Sequence, residues 1–499
     1  YAKYGVPIEF SKEALEEAEQ LPTEVSEDEL KGRVDLRTKN IVTIDCDNTK
    51  DRDDAIYAER LSNGNFKLFV SISDVSHYVK RGSKLFEEAL NRRTSHYVNN
   101  TCNPMFPHKL SNGICSLNEG VDRLTKTCEM EITPLGEVVD YKIYKSVINS
   151  RKAMKYSEAN RVLSGEHVRG YEEYKDQLIL LKEICDALET DRINRNAIDF
   201  GINDIELEKD EFGKPKAFVS KGEGYFERVV ENCMLVTGTT VAEHYSWLPF
   251  IYRVLEAPSD ASIKEVIKIL RLSGFNIPKC NNVDERMINS ILEKVKNSEQ
   301  AKIFRTILLQ SMKRAKYDIN NIGHFALQLL IYAQFTSPIR RVTDFIIHTL
   351  IDEIETMDYS EEGIKKLEKE LGEIAANASK TERIAQMIED EALAMAMAEY
   401  MENHIGEEFN AMITKIYQGG MIVQTDDMIT GKVAFENMVD DYYFYVPESH
   451  AIIGKHTRKK YRLGENVSVI AKDACKQTRT INFQIGKEKC LQKNKITRK

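Results

Sequence analysis

Five carboxylates fall within ten residues, Asp45-Cys-Asp-Asn-Thr-Lys-Asp51-Arg-Asp53-Asp54, directly after the apolar run Ile41-Val42-Thr43-Ile44. A strand ending in such a cluster delivers its acids to one rigid point. Crowded carboxylates repel unless something positive sits among them. Hard divalent cations meet that need with oxygen ligands, and Mg²⁺ typically combines carboxylates with substrate phosphates. The chemistry implied is a metal site built to grip a phosphate. Acid runs are more often solvated loops, but this one leads straight into Ala55-Ile56-Tyr57-Ala58. A calcium loop of the EF-hand type fails on spacing: counted from Asp45, the required Gly falls on Lys50 and the closing Glu on Ile56.

A second segment could supply the phosphate grip. It runs from His324 to His348 and contains Thr336-Ser337-Pro338-Ile339-Arg340-Arg341-Val342-Thr343-Asp344. Thr-Ser-Pro stops one element and starts a helix, with Pro suited to the first turn. Hydroxyls and free N–H groups at a helix start can hold an anion. Arg340 and Arg341 offer planar forks that match phosphate. A capped helix with surface arginines is the plainer reading, and the acidic cluster elsewhere in the chain weighs against it.

The elements that must position these groups follow from periodicity. Residues 1–35 are acidic, with a helix expected after Ser11 as N-cap. Residues 36–150 alternate in the strand manner, most clearly at 68–73, 127–133 and 141–147, with a helix near 83–93. From about 157 to 405 the pattern is mainly helical: 171–194, 227–246, 261–273, 284–314, 343–356 and 360–404, the last broken near Gly372. A short strand pair near 203–219 separates the early helices. Strands return at 409–416, 421–425, 431–435, 466–470 and 480–483, which reads as a small closed barrel of the OB kind. The expected fold class is α+β. The expected divisions are a lead-in at 1–35, a catalytic domain at 36–404, a barrel at 405–486 and a basic tail at 487–499.

At 499 residues with 42% apolar content, the chain can bury a large core. It has no run of 18 apolar residues, so no membrane helix is expected. The N-terminus lacks both Met and a signal-peptide pattern, which suggests a piece of a longer chain. Nine scattered cysteines without a Cys-x-x-Cys pair suggest reduced thiols in a cytoplasmic protein. The net charge of −9 argues against non-specific coating of nucleic acid but permits a local basic channel. The lysine-rich tail is either solvated or an added phosphate grip.

With both segments in view, the chain resembles the ribonuclease II/ribonuclease R family, most of all its ribonuclease R branch. The resemblance covers essentially the whole chain, including Tyr4-Gly-Val-Pro-Ile-Glu-Phe10, Lys31-Gly-Arg-Val-Asp35-Leu-Arg37 and Ser111-Asn-Gly-Ile-Cys-Ser-Leu-Asn118, and the His324–His348 segment is close to a family signature. It implies hydrolysis of RNA from the 3′ end to nucleoside 5′-monophosphates. The substrates would be single-stranded RNA and structured RNA with a 3′ tail, and the protein is expected to act as a monomer. It implies Mg²⁺, two ions during catalysis, on Asp45, Asp51, Asp53 and Asp54. Arg340 resembles the catalytic arginine, and Glu389 a second active-site acid. Tyr97 would stack on the terminal base, and Phe200 would clamp the inner end of the bound nucleotides. Glu231 would contact the ribose 2′-hydroxyl, the group that separates RNA from DNA. Arg341 would add a contact to the RNA.

The chain departs from the family pattern at Cys46, Asn232, Val342 and Leu255, none of them among the four aspartates or Arg340. In the barrel, Gly420-Met421-Ile422 lacks the aromatic often found there, leaving Tyr417, Phe435, Tyr442, Tyr443 and Phe444 as candidate stacking platforms or core. Two other readings stay open: a scaffold that holds RNA without cutting it, and a metal phosphohydrolase acting on small nucleotides.

Overall fold

The computed structural model describes residues 1–98, 101–201, 204–222, 224–278, 284–298 and 300–486. The basic tail at 487–499 lies outside the described residues. Two compact units emerge from the contacts. The first comprises Tyr1–Asp199, Glu223–Ala257 and Lys313–Ile388, and the second Phe200–Gly222, Pro258–Met312 and Glu389–Lys499. A linear reading divides the chain near 404 and does not reveal that 200–222 and 258–312 group with the C-terminal strands. Periodicity reports which face of a segment is apolar, not which distant segment covers it.

The first unit is built on a seven-stranded sheet. Its strands are β1 (Val34–Asp35), β2 (Val42–Asp45), β3 (Asp54–Arg60), β4 (Phe66–Ser73) and, after a small hairpin of β5 (His96–Val98) and β6 (Thr101–Asn103), β7 (Asp122–Ile132), β8 (Val138–Asn149) and β9 (Lys152–Lys155). The order is β1-β8-β7-β4-β3-β2-β9. The outer pairs β1–β8 and β2–β9 are parallel and the rest antiparallel. Strand β4 is buried along nearly its whole length, and Leu68, Val70 and Ile72 are fully buried. Helices Lys84–Arg92, Tyr225–His244 and Val342–Glu353 contribute Phe86, Phe226, Phe345 and Ile346 to the same core. The N-terminal helix, Lys12–Gln20, begins as its sequence implies, with Ser11 Oγ accepting from Ala14 N–H.

The second unit contains an antiparallel ribbon, β10 (Asp204–Lys209) with β11 (Pro215–Lys221). Between these and the C-terminal strands, the first unit adds the short pair β12 (Tyr252–Val254) and β13 (Lys316–Asp318), inside the stretch read as mainly helical. Then β14 (Glu408–Tyr417), β15 (Gly420–Thr425) and β16 (Thr430–Ala434) close into a barrel with β20 (Asn466–Cys475) and β21 (Thr480–Ile485). The α+β class and the five-stranded barrel match expectation. Between β16 and β20 lies a separate three-stranded sheet, β17 (Tyr443–Val446), β18 (Ala451–Gly454) and β19 (Lys460–Arg462), which the sequence did not announce. Of the candidate platforms, Tyr443 is core, whereas Tyr442, just before the first strand of this added sheet, is 71% exposed.

Two helices differ from expectation. The stretch 284–314 forms two helices, Glu285–Val295 and Ala301–Ser311, and Ser298 Oγ donates to the Val295 carbonyl just past the first. Such local bonds compete with the helix ladder. The helix Glu361–Glu402 runs through Gly372 unbroken. One glycine costs about 1 kcal/mol, too little to stop a helix whose Leu371 and Ala375 are buried on either side.

Candidate active site

Antiparallel pairing of β2 and β3, with Val42 opposite Ile56, brings the end of one and the start of the other to the same edge. Asp45 closes β2, Asp54 opens β3, and the loop between them carries Asp51, Arg52 and Asp53. This loop is pinned from several sides. Ser116 Oγ donates to the Lys50 carbonyl at 2.7 Å and accepts from Arg52 N–H at 3.1 Å. Leu117 N–H donates to the Arg52 carbonyl at 3.0 Å, and Ser73 N–H, at the end of β4, donates to the Asp53 carbonyl at 2.8 Å.

The Thr336–Arg341 turn comes to the same place. Ile339 N–H donates to Asp53 Oδ1 at 2.7 Å, and Arg340 Nε lies 3.5 Å from Asp53 Oδ2. The Arg340 carbonyl accepts from Ser95 N–H at 3.0 Å and from Thr94 Oγ1 at 3.1 Å, and Val342 N–H donates to the Arg93 carbonyl at 2.9 Å. Val342, one of the departures from the family pattern, is 1% exposed, so backbone bonds and a buried side chain anchor this turn. The segment tied to Arg340 leads directly into β5, where Tyr97 is 38% exposed and donates its hydroxyl to Asp51 Oδ2 at 2.5 Å. Sequence reasoning singled out Asp45, Asp51, Asp53, Asp54, Tyr97 and Arg340, and the fold brings all six together.

The electrostatics are those of a cluster short of positive charge. Burial first, then the Asp54 charge, pushes Asp45 up to about 8 against the pull of Arg52. Burial pushes Asp54 up to about 6 against Arg340 and Arg341. Asp53 is held well above the carboxylate range by burial, opposed by Arg340 and the Ile339 N–H. Asp45 Oδ2 and Asp53 Oδ2 are buried with no hydrogen-bond partner among the described residues. Also among the described residues, no three acidic, His or Cys side chains converge tightly enough to hold a metal ion by themselves. The donor set still fits a hard cation in kind, because all its donors are oxygen. Mg²⁺ usually takes only one or two carboxylates and completes its shell with water and substrate phosphate.

The remaining expected residues are placed differently. The Arg341 fork is turned onto Asp344, with Nη2 at 2.6 Å and Nε at 3.1 Å from Oδ2. Asp344 is fully buried and also accepts from Ser337 N–H at 2.9 Å. Arg340 was expected to be catalytic and Arg341 to contact RNA; the Arg341 fork is paired with an acid of the helix it precedes. An (i, i+3) Arg–Asp spacing was the available signal. Glu231, on the helix Tyr225–His244, is half-exposed and 4.0 Å from Arg192. Its neighbour Asn232 is buried and donates to Glu189 at 2.7 Å. Phe200 and Glu389 belong to the second unit. Two residues passed over by the sequence reading also shape the site. Arg52 lies 3.7 Å from Asp45 Oδ2, and Tyr156 is close enough to feel the charges of Asp54 and Asp45, though burial is the chief reason its hydroxyl resists ionisation.

An RNB domain model matches residues 33–356, a span that includes both the acidic run and the arginine turn. Ribonuclease R of Thermotoga maritima is 40% identical over 488 residues, covering 97% of this chain and 69% of that protein. Ribonuclease R 1 of Lactococcus lactis is 38% identical over 488 residues, covering 97% of this chain and 60% of that protein. This chain therefore spans about two thirds of the length of these curated relatives. Among solved structures, Mycoplasma genitalium RNase R in complex with ribose-methylated single-stranded RNA matches with a TM-score of 0.91 at 27% identity, over 97% of this chain and 76% of that one. On the extent of these matches and the braced aspartate cluster they enclose, the chain belongs to the RNB family.

Proposed function

We propose that this chain is a 3′-to-5′ exoribonuclease that hydrolyses single-stranded RNA, and structured RNA with a 3′ tail, to nucleoside 5′-monophosphates. Its setting in this reading is RNA decay and quality control, as a cytoplasmic monomer. One observation carries the proposal: four aspartates with two unpartnered buried oxygens share an edge with Arg340 and with the exposed ring of Tyr97.

In this reading Asp45, Asp51, Asp53 and Asp54 hold Mg²⁺, two ions during catalysis, which would supply a water of lowered pKa and positive charge against the leaving 3′ oxygen. The Ile339 N–H fixes one oxygen of Asp53 and leaves the other directed into the site. Arg340, held through its carbonyl, meets charge developing on the phosphate, the usual task of a preorganised cation. Arg341 acts from behind, because its fork on Asp344 stiffens the turn that presents Arg340. The Tyr97 hydroxyl is anchored on Asp51, so its ring face has a fixed aim for a terminal base. Phe200 as inner clamp, Glu231 as reader of the 2′-hydroxyl and Glu389 as a second acid complete the proposal by resemblance to the family.

The test is product analysis. RNA with a free 3′ tail, labelled at its 5′ end, is incubated with the protein and Mg²⁺ or with EDTA. Stepwise shortening from the 3′ end, with release of 5′-monophosphates only when Mg²⁺ is present, is expected. Intact RNA retained by the protein would favour binding without cleavage, and internal cuts would refute the assignment.

A further inference from the structure

Arg52 stands inside the acidic run, between Asp51 and Asp53. Its backbone is pinned by Ser116 and Leu117, and its Nη1 donates to Asn118 Oδ1 at 3.1 Å. Its Nε is buried and lies 3.7 Å from Asp45 Oδ2. That is beyond hydrogen-bond distance. Neither atom has a hydrogen-bond partner among the described residues. A guanidinium built as a permanent brace closes on its acid, as Arg33 does on Asp74 at 2.7 Å. Arg52 instead stands off from Asp45, with Asn118 giving its other end a separate hold.

We infer that Arg52 is a resident counter-ion: it stands beside Asp45 while no divalent ion is bound, competes with that ion for Asp45, and so weakens the metal affinity of the site. The inference rests on the metal reading proposed above. Its charge is confined to the neighbourhood of Asp45 because the loop carrying it is bolted to Ser116 and Leu117. A divalent ion that takes Asp45 Oδ2 therefore meets this cation at close range. Repulsion between the two falls on the bound state alone. Removing the guanidinium removes that repulsion, and Arg52 remains a positioning residue that need not touch substrate.

The experiment is calorimetric titration of the full, metal-stripped chain with Mg²⁺ at one pH and salt concentration. The variants are Arg52→Gln and Arg52→Met, which keep an unbranched stem without charge, and Arg52→Lys, which keeps charge. Both neutral variants are expected to bind Mg²⁺ about tenfold more tightly than wild type, equivalent to about 1.4 kcal/mol, with Arg52→Lys close to wild type. Thermal melts identify any variant that fails to fold, and either neutral variant suffices for the comparison. Equal or weaker binding by the folded neutral variants would overturn the inference and make Arg52 a brace for its loop. Equal tightening by Arg52→Lys would also overturn it, since charge would then not be the cause. If wild type and all variants bind no Mg²⁺, the metal reading itself fails and takes this inference with it.

Discussion

Asp53 makes, and Asp74 adjoins, the same backbone contact. Ser73 N–H donates to the Asp53 carbonyl, and Asp74 follows Ser73 in the chain. Both are buried, at 3% and 1% exposed. Yet Asp74 meets Lys126, Arg33 at 2.7 Å and Ser76 at 3.2 Å, while Lys126 also reaches Asp352 at 3.2 Å. Burial opposes the Asp74 charge, but Lys126 and Arg33 override it and hold the carboxyl far below its usual range. Asp53 and Asp45 keep an oxygen without a hydrogen bond, and burial wins there. A buried acid with its own cations belongs to the framework. A buried acid without enough of them marks a place where charge must come from outside.

The largest expected effect breaks the second half of that comparison. Asp53→Asn is expected to lower single-turnover RNA hydrolysis by at least about ten-thousandfold, about 5.4 kcal/mol in barrier. Its melting temperature should stay level or rise, because the substitution removes an under-compensated buried charge. Hydrolysis within about tenfold of wild type, a change of about 1.4 kcal/mol, would remove Asp53 from the chemistry. Asp74→Asn should do the reverse. It leaves Arg33 buried without its acid and Lys126 with Asp352 alone, which costs about 3–5 kcal/mol of stability. A urea unfolding midpoint equal to wild type would show that the network is not structural in the sense argued.

Tyr97 gives a smaller effect. Stacking on a base is worth about 1–3 kcal/mol, enough to hold a short product in register when few other contacts remain. Tyr97→Ala should still cut but stop at a longer limit product, whereas Tyr97→Phe should keep the wild-type limit. Equal limit products for Ala and wild type would make the ring merely structural.

The smallest expected effect is a slope with pH. Asp45 and Asp54 hold their protons to about 8 and about 6 in the folded, metal-free chain, against an unfolded value near 3.8. Between those limits the folded state binds more protons than the unfolded state, so their contribution to stability falls as pH rises. Melting in EDTA should therefore show a steeper loss from pH 5 to pH 8 in wild type than in Asp45→Asn. Parallel curves would mean that Asp45 is already ionised across that range.

The sequence announced those parts of the site whose meaning is local. The acidic run follows a β-branched strand, Ser11 caps a helix, and five alternating segments make the barrel. It was silent where meaning depends on distant contacts. Nothing near Asp74 in the chain foretells Lys126 or Arg33 as partners. Phe200 and Glu389 sit in segments that pack with the C-terminal strands, a fact that no periodicity carries. Arg341 is the intermediate case, since its partner Asp344 was three residues away and visible, but the phosphate-like pairing of two adjacent arginines drew the reading outward.

The most direct test of the central claim, that the aspartate edge awaits a cation from outside, is the Mg²⁺-dependent thermal shift of the stripped wild type, Asp53→Asn and Asp45→Asn. A ligand that binds only the folded state stabilises it by about 2.7 kcal/mol at a hundred times its Kd. Wild type is expected to show a saturable rise in Tm that both variants lose. A wild type that does not respond, or variants that respond equally, would contradict the account.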